Sequence, residues 1–263
     1  MVEIDPKRKM IRFDIVTLFP EMFDALTGYG ITGRACDRGL VTVKLHQLRD
    51  YAHDAYKTID DRPYGGGPGM VMMAGPLTEA VLAIQKEQRA AGFDPGPVVL
   101  MSPAGAPIRQ ALIDRMVDAS QAGQTCRTIV CGRYEGVDQR FIDQRVDELW
   151  SLGDFVLSGG EIAAMAVLDA VIRKLPGALG EPESAVQESF AADGPGRGML
   201  DWPHYTRPEV FGGVSVPDVL LSGHHERIAD WRRRAALAAT QDLRPDLLMP
   251  SSGKPDPSGK SSS

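Results

Sequence analysis

Residues 127–140 read RTIVCGRYEGVDQR: a β-rich apolar run that ends in a turn of glycine, charge and one aromatic. A strand that opens into glycines puts bare backbone at a sheet edge, where α/β proteins build their ligand sites. The rest of the chain supplies partners for such a strand. RFDIVTLF (12–19) alternates and is β-rich, and Pro20 then opens EMFDALT, a helix with proline in its first turn. Further strands are expected at 41–46, 97–101 and 154–157, with helical patterns at 76–91, 105–121 and 137–145. This alternation argues an α/β domain with a largely parallel sheet. The stretch 159–177, GGEIAAMAVLDAVIRKLPG, is a nearly all-round apolar helix, with Glu161 near its start and Arg173 and Lys174 near its end. It reads as buried, with a second subunit as one candidate neighbour.

From 177 to 198 the chain is rich in glycine, proline and small polar residues, the composition of a flexible linker, and a second domain begins near Met199. Residues 224–243 form a helix pattern containing Arg232, Arg233 and Arg234, yet acids roughly balance the arginines across it. The end, PSSGKPDPSGKSSS (250–263), is a polar low-complexity tail that cannot bury a core.

Composition narrows the function classes. The 263 residues are 43% hydrophobic and 24% charged, as in soluble globular proteins, and no run approaches the roughly 18 apolar residues of a membrane span. The opening residues hold no apolar signal core, so a cytoplasmic protein without membrane contact is expected. Cys36, Cys126 and Cys131 form no CxxC pair, and the last two should point to opposite faces of one strand. No residue cluster suits a metal centre. The net charge of −6 lacks the basic bias of many nucleic-acid binders, so any RNA contact must come from a local patch.

Two glycine motifs are weak alone. GYGITG (28–33) matches G-x-G-x-x-G but lacks a strand before it and a clear helix after it, and reads as loop glycines. YGGGPGM (64–70) lacks the Lys-Ser/Thr ending of a P-loop and by spacing reads as a turn. SLGDFVLSGGEIAAM (151–165) repeats the logic of the opening stretch, with glycines leading into a helix N-terminus. Two glycine-lined loops suit a small polar ligand held by backbone.

Taken in order, FDIVTLFPEMF, YGGGPGMVM, MSPAG, CGRYEGVDQR, SLGDFVLSGGEIAAM, DAVIRKLPGALG, DWPHYTRPEVF and VPDVLLSGHHERIADWR resemble the bacterial tRNA (guanine-N1)-methyltransferase family, TrmD, of the SPOUT class. The resemblance spans about residues 10 to 248 and implies a deep trefoil knot in an α/β domain. It also implies a small, mainly helical C-terminal domain. The implied division is a knotted domain at 10–180, a linker at 181–198, a helical tRNA-binding domain at 199–249 and the tail. The family works as a homodimer with sites at the subunit interface, on tRNA, and takes its methyl group from S-adenosylmethionine. Residues matching its cofactor site are Ser102, Pro103, Gly132, Leu152, Gly153, Asp154, Phe155, Val156, Leu157, Gly159 and Gly160.

The family methylates ring N1 of the guanosine at position 37, next to the anticodon. That nitrogen bears a proton near neutral pH, so the reaction needs a base at N1 and a donor at O6. Arg173 matches the donor; otherwise it would complement a helix C-terminus. The family's base is an aspartate followed by Ser-Phe, and here the string is ESF, which puts Glu188 in that role. Glutamate is one methylene longer, and Asp193 is a nearby alternative. Asp201 and Glu135 match acidic positions linked to catalysis and to magnesium dependence, against readings as a helix cap and a loop hydrogen bond. His204, Tyr205 and Arg207 are candidates for stacking on RNA bases, and Arg232 and Arg233 for phosphate contact. Rival readings are a non-catalytic or weakened RNA-binding protein, or a SPOUT methyltransferase for another RNA.

Overall fold

A computed structural model describes residues 10–123, 125–180, 188–191 and 198–249, and the chain divides into two compact units, 1–180 and 181–263. In the first unit, β1 (Ile11–Thr17) is followed by a 3-10 turn and two short helices, α1 (Asp24–Thr27) and α2 (Gly30–Asp37). Then come β2 (Val41–Gln47), a small ladder of β3 (Asp60–Asp61) with β4 (Val71–Met72), and helix α3 (Ala74–Ala90). β5 (Val98–Pro107), α4 (Gln110–Ala122), β6 (Thr125–Cys131), α5 (Gln139–Arg145), β7 (Glu148–Ser151) and α6 (Glu161–Ile172) complete it.

Five strands form one sheet in the order β2-β1-β6-β5-β7, and every pairing is parallel. β1 is buried at all seven positions, as a central strand covered on both faces must be. Its period of two sorts the side chains. Phe13 and Ile15 join a core with Ile113 and Met116 of α4 and with Val167 and Leu168 of α6, whereas Val16 joins Leu77, Val81 and Ile84 of α3. Cys126 and Cys131 fall in separate clusters, and all three cysteines are free.

Asp14 is fully buried on the α3 side, where it accepts hydrogen bonds from Arg12 Nε (2.8 Å) and Nη2 (2.7 Å), His46 Nε2 (2.9 Å) and Gln88 Nε2 (2.8 Å). Burial alone would raise its carboxyl, but the bonds from His46, Arg12 and Gln88 hold it below its usual value of 3.8.

Several expected boundaries move. The strand expected at 97–101 continues to Pro107, past a register shift between Met101 and Ala106, because Ala106 and Pro107 still pair with β7. Helix α4 therefore starts at Gln110 and not at 105. The strand expected at 154–157 is not one: β7 ends at Ser151, and Phe155 and Val156 stand exposed at 54% and 83%. An apolar run bounded by glycines mimics a strand by local pattern alone, and here Phe155, Val156 and Leu157 line a cavity instead of pairing with a strand. GYGITG is not a loop, since Gly30 opens α2.

The second unit holds a two-stranded hairpin, β8 (Val210–Phe211) with β9 (Val214–Ser215), and helices α7 (Asp218–Leu221) and α8 (His225–Leu243). Trp202 and Ala236 are buried there, and the Arg232 guanidinium lies 4.7 Å from the Trp202 ring centre. Thr240 Oγ1 accepts from Leu200 N–H (3.0 Å) and donates to Ala236 O (2.7 Å). The expected linker 181–198 is described only at 188–191 and 198, and Asp193 and the tail lie outside the described residues.

Removing Asp14 leaves Arg12 and His46 buried without their carboxylate. Asp14→Ala should cost about 3–5 kcal/mol, measured by urea unfolding at pH 7. Because the folded carboxyl sits below the unfolded value of 3.8, its stabilisation is complete above that pH and lost as pH falls through the lower folded value. The variant should accordingly lose part of the parent's steep acid-side decline in stability.

Candidate active site

Three segments surround a cavity of about 350 Å³, a size suited to a small-molecule ligand: a loop that breaks the register of β5 after Met101 and the loops that follow β6 and β7. Ser102 and Pro103 line it from the first loop, and Gly132 and Glu135 from the second. Leu152, Gly153, Phe155, Val156, Leu157, Gly159 and Gly160 line it from the third; Asp154 is not among the lining residues. Apolar side chains of Leu100, Met101 and Trp150 complete it.

Two glycines in this wall differ in kind. A Cβ on Gly160 would lie 2.9 Å from Cys131 Cα and 2.9 Å from Met101 Cβ, so the packing of the loops itself demands glycine. A Cβ on Gly132 would come no closer than 3.6 Å to anything. No internal crowding calls for glycine there.

The loops are tied to one another. Gly160 N–H donates to Gly132 O (2.9 Å), and Arg133 forms a β-bridge with Gly159. Arg133 Nε donates to Glu161 Oε2 (2.9 Å), and its guanidinium packs 4.5 Å from the centre of the Phe19 ring. Burial pushes the neighbouring Cys131 thiol well up, and the negative charge of Glu161 adds to this. Tyr134, in the left-handed region at φ 60°, has a phenol raised first by partial burial and then by the charge of Asp60. Arg133 thus braces the site, and Tyr134 is turned toward Asp60 and Arg49.

Glu135 accepts a hydrogen bond from Met70 N–H (2.7 Å), and its own N–H donates to Met70 O (3.1 Å). The YGGGPGM segment is therefore docked on the cavity wall at its C-terminal end, which glycine spacing alone does not disclose. A Cβ on Gly69 would collide with the Glu135 carboxylate.

The other expected residues lie elsewhere. Arg173 caps α6 at its C-terminus, with its N–H donating to Asp169 O (3.0 Å), and is not among the residues lining the cavity. Ten residue steps separate it from Ala163, the nearest lining residue on α6, about 15 Å at 1.5 Å per residue. Glu188 belongs to the second unit and opens a turn closed by Ala191 N–H on Glu188 O (3.2 Å). In the same unit Asp201 accepts from Ser189 Oγ (2.8 Å) and from His204 Nε2 (3.0 Å). Burial raises its carboxyl, and the bonds from His204 and Ser189 outweigh that and hold it low. Tyr205 stands 6.3 Å from Trp231, ring centre to ring centre, and Arg207 is exposed. Arg233 pairs with Asp230 (3.5 Å), as does Arg234 (3.1 Å).

A family model described as tRNA (guanine-1)-methyltransferase TrmD matches residues 11–250. A tRNA (guanine-N(1)-)-methyltransferase of Polynucleobacter asymbioticus is 56% identical over 238 residues, which is 90% of this chain and 92% of that protein. Proteins of the same name from Ralstonia nicotianae and Burkholderia mallei are 55% and 56% identical, each over 90% of this chain and 86% of their own.

The contrast between the two wall glycines is testable without any ligand. Gly160→Ala should lower stability by about 1–3 kcal/mol through overpacking, while Gly132→Ala should stay within about 0.5 kcal/mol of the parent. Paired denaturant melts measure both.

Proposed function

The chain belongs to the tRNA (guanine-1)-methyltransferase TrmD family, and from that premise we propose how its residues carry out methylation of guanine N1 in tRNA. The observation that carries the reading is the family match across residues 11–250. The glycine-walled cavity at the strand ends supports it.

S-adenosylmethionine, when bound, supplies an electrophilic methyl group. The cavity suits it: apolar Leu100, Met101 and Trp150 line it for an adenine or thioether, Gly153 lines it with its backbone bonded to Ser151 and Phe155, and we assign hydrogen bonds to ring nitrogens to backbone at Gly132, Leu152 and Leu157. Gly132 lines the cavity without being crowded, in ordinary contact range of Leu100, Val137 and Met101, which leaves its backbone accessible to a ligand. We assign the three loops to the trefoil knot of the SPOUT class. The close backbone approach at Gly160 and the shift in β5 register are the features that favour this.

The target base is guanosine 37. Arg173 donates to its O6 and steadies the charge that grows there as N1 loses its proton. The Glu188 carboxylate takes that proton. Asp201, held by Ser189, fixes the residue next to Glu188. About 15 Å of helix lies between Arg173 and Ala163, the nearest lining residue on α6, more than an arginine side chain reaches along the helix. This distance supports the homodimer that the family resemblance implies, in which a second copy supplies the arginine and the site lies at the subunit interface. His204, Tyr205, Arg207, Arg232 and Arg233 are assigned to RNA contact.

The family implies magnesium. Among the described residues, the three potential ligands that approach one another are Asp14, His46 and Glu87. Both Asp14 oxygens already accept N–H donors. That cluster does not suit a cation, and no step is routed through one. No described helix is long and apolar enough to cross a membrane, and we place the reaction in the cytoplasm.

The test is to incubate the protein with labelled S-adenosylmethionine, magnesium and tRNA transcripts carrying or lacking guanosine 37. Label should enter only the transcripts with that guanosine. Transfer independent of it would point to another target, and cofactor binding without transfer to a binding module. Arg173→Ala should reduce turnover at least about 100-fold with cofactor affinity by calorimetry little changed. Glu188→Ala should be close to inactive while Glu188→Asp retains activity; an active alanine variant would move the base elsewhere.

A further inference from the structure

Glu161 is a fully buried carboxylate to which the reaction as described gives no task. Burying such a charge costs several kcal/mol unless its oxygens are filled. Both are: Thr17 Oγ1 donates to Oε1 (2.9 Å) and Arg133 Nε to Oε2 (2.9 Å). These partners come from distant parts of the chain. Thr17 ends β1 and also accepts from Phe19 N–H (3.0 Å), and Arg133 begins the loop after β6. Glu161 itself is the first residue of α6, where the helix dipole favours a negative charge.

The arrangement has a clearance requirement. A Cβ on Gly159 would lie 2.2 Å from Arg133 Nε and 2.5 Å from Glu161 Oε2, so the ion pair crosses directly over a residue that must lack a side chain. Arg133, Gly159 and Gly160 all line the cavity, with Arg133 on the second loop and the glycines on the third. Glu161 therefore ties two adjoining cavity walls to the end of β1.

We propose that Glu161, through Thr17 and Arg133, is a positioning residue that sets the separation of the two cofactor-binding walls. This rests on the reading of the cavity as the S-adenosylmethionine site. A neutral amide keeps the shape of the side chain but loses the charge that orients the guanidinium. Thr17→Val likewise keeps shape while removing the hydroxyl donor, and Thr17→Ser restores it.

Glu161→Gln, Thr17→Val and Thr17→Ser are compared with the parent by calorimetric titration of S-adenosylmethionine, steady-state kinetics with tRNA and thermal melting. Glu161→Gln and Thr17→Val should weaken cofactor affinity and raise its KM by about 10- to 100-fold, leave KM for tRNA within about twofold, and Thr17→Ser should recover the parent affinity. Should Glu161→Gln fail to fold, the Thr17 pair decides alone. Loss of melting temperature with unchanged cofactor affinity, or equal loss of affinity in Thr17→Ser and Thr17→Val, overturns the proposal. A parent protein that binds no cofactor overturns instead the reading on which it rests.

Discussion

The buried carboxylate of Glu161 is the constraint on which the arrangement of the site depends. Three chain segments that already share the sheet and its apolar core are locked at their ends by its two oxygens: the end of β1, the loop after β6 and the start of α6. A charge buried to 0% exposure tolerates no loosening of its partners, because separation would leave it unpaired in an apolar surround. Around it the walls come close enough that Gly159 and Gly160 have no room for a side chain. The cavity is thus bounded on one side by an ion pair and on the other by apolar strand ends.

From that fixed point α6 runs as a rigid rod. Its first turn lines the cavity and its C-terminus carries Arg173, so the proposed O6 donor stands about 15 Å along the helix from Ala163, the nearest lining residue on it. This geometry favours a site completed by a second copy, and it gives a physical role to a helix that is apolar on nearly all sides. The acidic net charge of the chain fits the same picture of local recognition. Arg233 and Arg234 share Asp230, and Arg232 packs on Trp202, so the arginine-rich helix is a partly neutralised surface.

The parallel α/β sheet was legible because strand and helix alternate and because β1 and β6 are apolar enough to be central. Strand ends were less so: SPAGAP (102–107) looks like the approach to a helix, but its Ala106 and Pro107 pair with β7, and DFVL looks like a strand, but its Phe155, Val156 and Leu157 line a cavity. Both errors arise where backbone is held by tertiary contacts that no local pattern encodes. The expected ligand loops do converge, since glycines after strands mark them. Thr17 had no signal of its own, because a threonine at a strand end is ordinary until its partner 144 residues away is known. Glu161 and Arg133 were visible only as a charge at a helix start and an arginine in a turn.

The central claim is that one subunit's cavity works with the other subunit's Arg173, and subunit mixing tests it most directly. Gly132→Leu, which crowds the cavity, and Arg173→Ala are each prepared as inactive proteins, then exchanged by mild denaturation and refolding. If the site is shared, each mixed dimer regains one intact site, and an equal mixture should recover about one quarter of parent activity. Verified mixed dimers without activity would mean that cavity and arginine act within a single chain, and would contradict the account.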